Sequence, residues 1–297
     1  MGIRFGRSDS DICQTLRLKL LFKTTNNPIK AADWSQKRVW LIGASTGIGA
    51  ALALELAKLG AQLILSARKP DTLLEVANQC LQWVEKSKVM NLPFDLCDHN
   101  TLQEAVHTVH KQWGGVDLVI FNAGTYEATR VPDLSLDRIK RSLGVNLIAP
   151  MNATKLILPL MLNQPNEQPG RGFAYVASVA GYRGLPQALT YGPGKAGIIS
   201  FAESLWVDLQ SLGLNTWIIN PGFVRTRLTD KNEFKMPALI EPAEAAQAII
   251  HGFSKGHFEI HFPKRFTYFM KLLRILPLSW YLRLVKGLVP PLPKINK

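Results

Sequence analysis

Tyr191 and Lys195 stand four residues apart in the run Tyr-Gly-Pro-Gly-Lys, a spacing that sets both side chains on one face of a helix. A free tyrosine has a pKa of about 10, too high for efficient proton exchange near neutrality, and a neighbouring ammonium lowers it by favouring the phenolate. The chemistry implied is proton transfer at a reacting oxygen. Such a pair is common by itself, so its surroundings decide its meaning. Ser178 lies thirteen residues upstream, after a run that reads as a strand, where its hydroxyl and that of the tyrosine can share one carbonyl oxygen. Pro193 adds a constraint. A proline inside a helix costs about 3 kcal/mol, so the helix is expected to begin near residues 189–191 and to project Tyr191 from its first turn.

A second group of residues suits a phosphate. Gly43, Gly47 and Gly49 fall at the turn from an apolar run into an Ala/Leu-rich helical stretch, with Ser45, Thr46 and Ile48 between them. Glycine lets the backbone approach a pyrophosphate closely, and the start of a helix favours negative charge. About twenty residues further on, an NAD site usually offers a carboxylate to the ribose 2′-hydroxyl. This chain has Ser66-Ala67-Arg68-Lys69 there instead. Two cations and no carboxylate favour a 2′-phosphate, hence NADP(H), against the plainer reading of a solvated basic loop. Asp95, followed by Leu96, has two readings as well: acceptor for an adenine amino group, or cap of its own loop.

These residues need a scaffold, and the chain from Arg38 onward supplies a pattern for one. Short apolar runs at 38–42, 62–66, 88–92, 117–121, 172–177, 214–219 and 257–262 alternate with helical stretches near 47–59, 70–86, 99–113, 135–162, 188–212 and 241–254. That alternation predicts an α/β fold, a doubly wound and mainly parallel seven-stranded sheet with the chemistry at its strand ends. Residues 1–36 show no long periodicity and read as an N-terminal extension outside the core. An apolar character is expected for the substrate pocket, from Tyr182, Leu185, Phe223, Leu228 and Phe234 in the loops at 126–133, 181–188 and 223–242.

Charge narrows the partners. The formal charge of +13 is not spread over the fold: residues 39–254 hold 18 Lys/Arg and 18 Asp/Glu, residues 1–38 hold 8 against 3, and residues 255–297 hold 9 against 1. A nucleic-acid face on the domain is therefore not expected. No run of 18 apolar residues is present, so no transmembrane span is expected. Cys13, Cys80 and Cys97 have neither metal spacing nor an even count, which points to free thiols, no metal site and a cytoplasmic, reducing setting. After Pro263 the chain mixes Phe266, Phe269, Met270, Leu273 and Leu276 with Lys264, Arg265, Lys271 and Arg274 at helical spacing, interrupted by Pro277. This basic amphipathic tail, 263–297, fits packing on the sheet, a contact between copies, or a peripheral seat on anionic lipid through about 263–290.

Taken in order, the loop at 43–49, Asp95, Asn122-Ala123-Gly124, Asn146, Ser178, Tyr191 with Lys195, and Pro221-Gly222 followed by Val224 and Thr226 resemble the short-chain dehydrogenase/reductase family over residues 37–262. The resemblance implies a single Rossmann-fold domain and an NADP(H)-dependent oxidoreductase acting on an alcohol/carbonyl pair. In it Tyr191 would be the general acid or base and Ser178 would polarise the substrate oxygen. Lys195 would bind the nicotinamide ribose and lower the tyrosine pKa, and Asn146 would kink its helix and hold a relay water. The turn at 122–124 would line the cofactor site, residues 221–226 would lie by the nicotinamide, and an arginine placed as Arg68 is the family's NADP-preferring pattern. A homodimer or homotetramer is expected. The competing reading from another class is a protein that senses NADP, or sits on a membrane surface, without catalysis.

Overall fold

The computed structural model describes residues 26–164, 169–230, 236–288 and 292. Apolar runs form the strands: β1 (Arg38–Ile42), β2 (Gln62–Ser66), β3 (Val89–Asn91), β4 (Leu118–Phe121), β5 (Gly172–Val176), β6 (Asn215–Pro221) and β7 (Glu259–Phe262). They pair in the order β3-β2-β1-β4-β5-β6-β7, every neighbour parallel. Successive side chains of a strand point to opposite faces, and the core divides accordingly. Val39, Leu41, Leu63 and Leu65 join one apolar layer, while Trp40, Ile42, Ile64 and Phe121 join the other. A strand covered on both faces reads as an unbroken apolar run, which is why these segments show in the sequence.

The first layer is closed by α1 (Gly47–Lys58), α2 (Pro70–Cys80) and α7 (Pro242–Lys255), through residues such as Leu52, Leu73, Ile249 and Phe253. The second is closed by α3 (His99–Trp113), α5 (Ala149–Leu162) and α6 (Tyr191–Gln210), through Leu102, Ile157 and Ile198. This is the doubly wound sheet expected. Strand order reverses between β1 and β4, and in such sheets the crevice for a ligand opens at that point, beyond the strand ends.

Several elements differ from the sequence expectation, each for a local reason. The stretch at 135–162 is not one regular α-helix. It runs as α4 (Leu136–Leu143), a π segment (Gly144–Ile148) and α5, with Asn146 in the π segment. Helix α2 stops at Cys80 rather than near 86, and turns carry the chain on to β3. The continuous helical stretch Leu136–Leu162 is long and apolar enough by composition to cross a membrane; its apolar side, including Ala153, Ile157 and Met161, is spent on the core layer. Cys80 and Cys97 are free thiols, and Cys13 lies outside the described residues.

The N-terminal reading needs correction from residue 26 onward. Asn26 N donates to Gly256 O (2.7 Å), Asn26 Nδ2 to Thr216 O (2.6 Å) and Ile29 N to Phe253 O (3.0 Å). Ile29 and Trp34 are fully buried, with Trp34 edge-on to Phe253 at 5.7 Å. Two anchors in a polar segment have no period, so pattern reading misses them. Residues 1–25 and 293–297 lie outside the described residues. Because a buried tryptophan truncated to alanine costs about 3–5 kcal/mol, Trp34→Ala should lower unfolding stability by that order in urea titration. A loss well below 1 kcal/mol would put the segment back outside the core.

Candidate active site

β1 ends at Ile42 and the chain turns at Gly43, whose φ of +95° suits glycine. The turn is also crowded, since a Cβ there would lie 2.4 Å from Ala123 N. Gly43 N donates to Ser66 O (2.7 Å), and Asn122 Nδ2 donates to Gly43 O (2.7 Å), which ties the ends of β2, β1 and β4 together. Gly47 has a φ of +57° and opens α1, with Thr226 Cγ2 2.8 Å from where its Cβ would lie. The Thr46 side chain makes no capping bond, so the first-turn N–H groups of α1 lack an acceptor from their own N-cap.

A cleft of about 410 Å³ opens above these strand ends. From the β1 turn it is lined by Gly43, Ser45, Thr46, Gly47 and Ile48, and from the loops after β2 and β3 by Arg68, Lys69, Asp95 and Leu96. Asn122, Ala123 and Gly124 follow β4, and Ser178 follows β5. Tyr191 and Lys195 come from α6, and Pro221, Gly222, Val224 and Thr226 from the end of β6 and beyond. Two of the expected residues do not line it. Gly49 is a packing glycine: a Cβ there would meet Gly43 O at 2.0 Å. Asn146 is buried beneath the wall, where its Nδ2 donates to Thr125 O (2.8 Å) and Ser142 O (2.9 Å) and its Oδ1 accepts from Thr125 N (3.3 Å).

Helix α6 begins at Tyr191 with Thr190 as N-cap, so Pro193 sits in the first turn, as its chemistry requires. The Tyr191 hydroxyl lies near that of Ser178, which acts to lower the tyrosine pKa, and Ser178 Oγ itself accepts from Ala180 N (3.1 Å). Burial pushes the tyrosine up to about 12, against the lowering effect of the nearby Ser178 hydroxyl. Burial likewise pulls Lys195 down to about 8. Lys195 Nζ donates to Val176 O (2.8 Å) and lies 5.6 Å from the Tyr191 ring centroid, but loss of water around the phenol is the largest effect on the tyrosine and the net shift is upward. Lys195 Nζ and Asn146 Oδ1 converge on Gly124, at 3.5 and 3.2 Å from its Cβ position.

Arg68 and Lys69 are exposed at the cleft rim and, among the described residues, pair with no carboxylate. Asp95 does cap its loop, accepting from Cys97 N (2.9 Å) through Oδ1, and still lines the cleft. Sequence reasoning missed Thr125, Val145, Arg227 and Thr229 on the wall. Thr229 had a faint signal in its spacing from Thr226: its hydroxyl donates to Val224 O (2.7 Å) and accepts from Thr226 N (2.9 Å), shaping that loop. Val145 had none, because the π segment turns it inward.

The apolar pocket residues are only partly gathered. Leu228 lines the cleft, and Tyr126 stands edge-on to Tyr191 at 5.1 Å. Tyr182 instead turns its hydroxyl to Glu259 Oε1 (2.5 Å), Leu185 packs in the second core layer, and Phe223 packs on Phe266 (5.4 Å). Phe234 lies outside the described residues.

The sequence pattern of the short chain dehydrogenase family matches residues 37–236. The chain belongs to this family. It is similar to an uncharacterized oxidoreductase of Myxococcus xanthus, 30% identical over 247 residues, 83% of this chain and 95% of that one. A second relative is dehydrogenase/reductase SDR family member 7 of Mus musculus, 30% identical over 78% of this chain and 66% of that one. Among solved structures, a short chain dehydrogenase/reductase from Burkholderia phymatum in complex with NAD superimposes with a TM-score of 0.72. It is 19% identical, over 88% of this chain and 98% of that one. L-sorbose reductase from Gluconobacter frateurii, complexed with NADPH and L-sorbose, gives 0.67 at 22% identity, over 76% and 94%.

The buried lysine has a measurable signature. With a folded value near 8 against 10.5 unfolded, the unfolded chain binds the extra proton between those pH values, so this group makes stability rise with pH across that window. The full swing is about 3 kcal/mol, at roughly 1.4 kcal/mol per unit. Lys195→Met should flatten the rise between pH 8 and 10 in denaturant titrations. Parallel curves for the two proteins would show that the lysine is not held in a charge-disfavouring site.

Proposed function

We propose that the chain is an NADP(H)-dependent oxidoreductase for an alcohol/carbonyl pair, working as a reductase on a lipophilic carbonyl. The observation that carries the reading is that Ser178, Tyr191 and Lys195 line one cleft, with the two hydroxyls near each other. A nicotinamide dinucleotide fits the residues present. Gly43 and Gly47 leave a cradle that a Cβ would fill, and the open start of α1 suits a pyrophosphate. Arg68 and Lys69 at the rim, which pair with no carboxylate among the described residues, suit a 2′-phosphate. When bound, the nicotinamide supplies or accepts the hydride.

The chain's own residues do the rest. Tyr191, pushed up to about 12, is protonated at neutral pH and therefore loaded as a proton donor for reduction. Ser178 holds and polarises the substrate oxygen. Lys195, near 8, is mostly ammonium at pH 7, and its charge favours the phenolate that forms as the proton leaves. Asn146 is the proposed water holder on the path from Lys195 outward, supported by their convergence on Gly124. Val145, Val224 and Leu228 give the cleft apolar wall, which supports a lipophilic substrate. A homodimer or homotetramer in the cytoplasm, able to meet a membrane surface, completes the proposal. A cofactor sensor without catalysis would have no use for the two hydroxyls beside the lysine.

Two variants test this. Tyr191→Phe should remove turnover, at least about a thousandfold, while NADPH affinity by fluorescence titration stays within a few-fold; retained turnover would refute the proton donor. Arg68→Asp should weaken NADPH far more than NADH, and equal losses would show that this loop does not read the 2′-phosphate. A screen of ketones and aldehydes that follows NADPH absorbance supplies the substrate for both measurements.

A further inference from the structure

Residues 263–297 carry eight Lys/Arg and no Asp/Glu. The described part folds as α8 (Lys264–Ile275) and α9 (Leu278–Lys286), and neither is a free tail. Phe266 packs on Phe223 and beside Gly222, where a Cβ would lie 2.7 Å from its ring. Thr267 and Met270 are buried, and Lys271 pairs with Glu259 at 2.6 Å. Arg183, on the loop that follows Ser178, donates to the carbonyls of Leu273 (2.9 Å), Arg274 (3.0 Å) and Leu276 (2.8 Å) at the end of α8. Its guanidinium also lies 4.3 Å from the Tyr281 ring centroid of α9, and Tyr281 O–H donates to Gly184 O (2.5 Å).

The inward face of α8 is thus fully used, yet its outward face is apolar. Tyr268, Leu272 and Ile275 recur at i, i+4 and i+7 and are 59, 56 and 76% exposed. Phe269 flanks them, and beyond the Pro277 corner Leu278 and Trp280 are 62 and 64% exposed. Single exposed apolar side chains need no explanation, but a ridge of them along one helix marks an interaction site. The cations Lys264, Arg265, Arg274, Arg283 and Lys286 accompany the ridge, and no carboxylate follows Glu259 in the sequence. Exposed apolar and aromatic side chains among cations, without anions, match the boundary layer of an anionic bilayer.

We infer that the outward face of α8 and α9 is a docking surface for an anionic lipid bilayer. Its consequence for the active site follows from Phe266, which backs the ridge and touches Gly222, a residue of the cleft wall. The helix that rests on the bilayer is thus the one whose other face packs against the cleft wall, and the carbonyl inferred for the site is one dissolved in lipid rather than in water. This second statement rests on the proposed reductase activity, whereas the docking does not.

The test is sedimentation of the full chain with vesicles of phosphatidylcholine alone or with roughly 30% phosphatidylglycerol. Partition should be at least about tenfold stronger on the anionic vesicles and should fall at high salt. The double variant Leu272→Asp with Ile275→Asp should lose binding by at least about tenfold, and Arg265→Glu with Arg283→Glu should remove the preference for anionic lipid. All four positions are exposed, and unchanged circular dichroism and melting temperature confirm that the variants fold. Absent or charge-independent partition, or partition that survives the double Asp variant, overturns the inference. So does a fall in the molar mass of the soluble chain caused by that variant in light scattering, because the face would then belong to a second copy. Sedimentation needs no turnover, so failure of the hydride-transfer reading leaves this result interpretable.

Discussion

The cleft exists because the turn after β1 can lie almost against the turn after β4. Gly43 leaves no room for a side chain beside Ala123, Gly49 leaves none above Gly43 O, and Asn122 closes the gap with a hydrogen bond to that same carbonyl. Backbone touching backbone at these points sets how deep the floor lies and where the first turn of α1 ends. The parallel sheet supplies the reversal between β1 and β4. The glycines turn that reversal into a surface on which a flat, charged ligand can rest.

On this floor, burial governs the proton chemistry more than nearby charge does. The tyrosine and the lysine are both displaced toward their neutral forms, in opposite directions on the pH scale, by loss of water. Val176 O accepts a compensating hydrogen bond from the lysine, and the nearby Ser178 partly offsets the rise in the tyrosine. A phenol that holds its proton firmly and an ammonium that holds its own loosely form an unequal pair: in the proposed reduction the phenol yields its proton only to a reacting oxygen that draws on it, and the ammonium is the nearby source that replaces it.

Much of this was legible in the residues, and the gaps have physical causes. Strands buried on both faces show as unbroken apolar runs, so the sheet and the residues at its ends could be placed. Pro193 located the start of α6 because in a first turn a proline gives up no intrahelical hydrogen bond. Ile29 and Trp34 could not be placed, since two isolated anchors among polar residues carry no period. The tyrosine environment was only partly legible, because sequence spacing records the neighbouring charge but not the loss of solvent around the phenol. The substrate loops were harder still. Tyr182 and Leu228 look alike as apolar loop residues, yet one turns to Glu259 and the other to the cleft. Helical spacing in the tail could not separate packing from an outward surface, and the structure uses opposite faces of α8 for each.

The π segment Gly144–Ile148 sets the rotation of the helix on either side of it. Its i→i+5 bonds take in one residue more than the α-helical pattern does. Removal of a residue there would restore regular pitch and rotate everything on one side by about 100° relative to the other. Asn146 would swing away from Thr125, and Thr154 could no longer keep both its place on α5 and its 2.7 Å bond to Tyr175. The helix is thus locked to its irregularity.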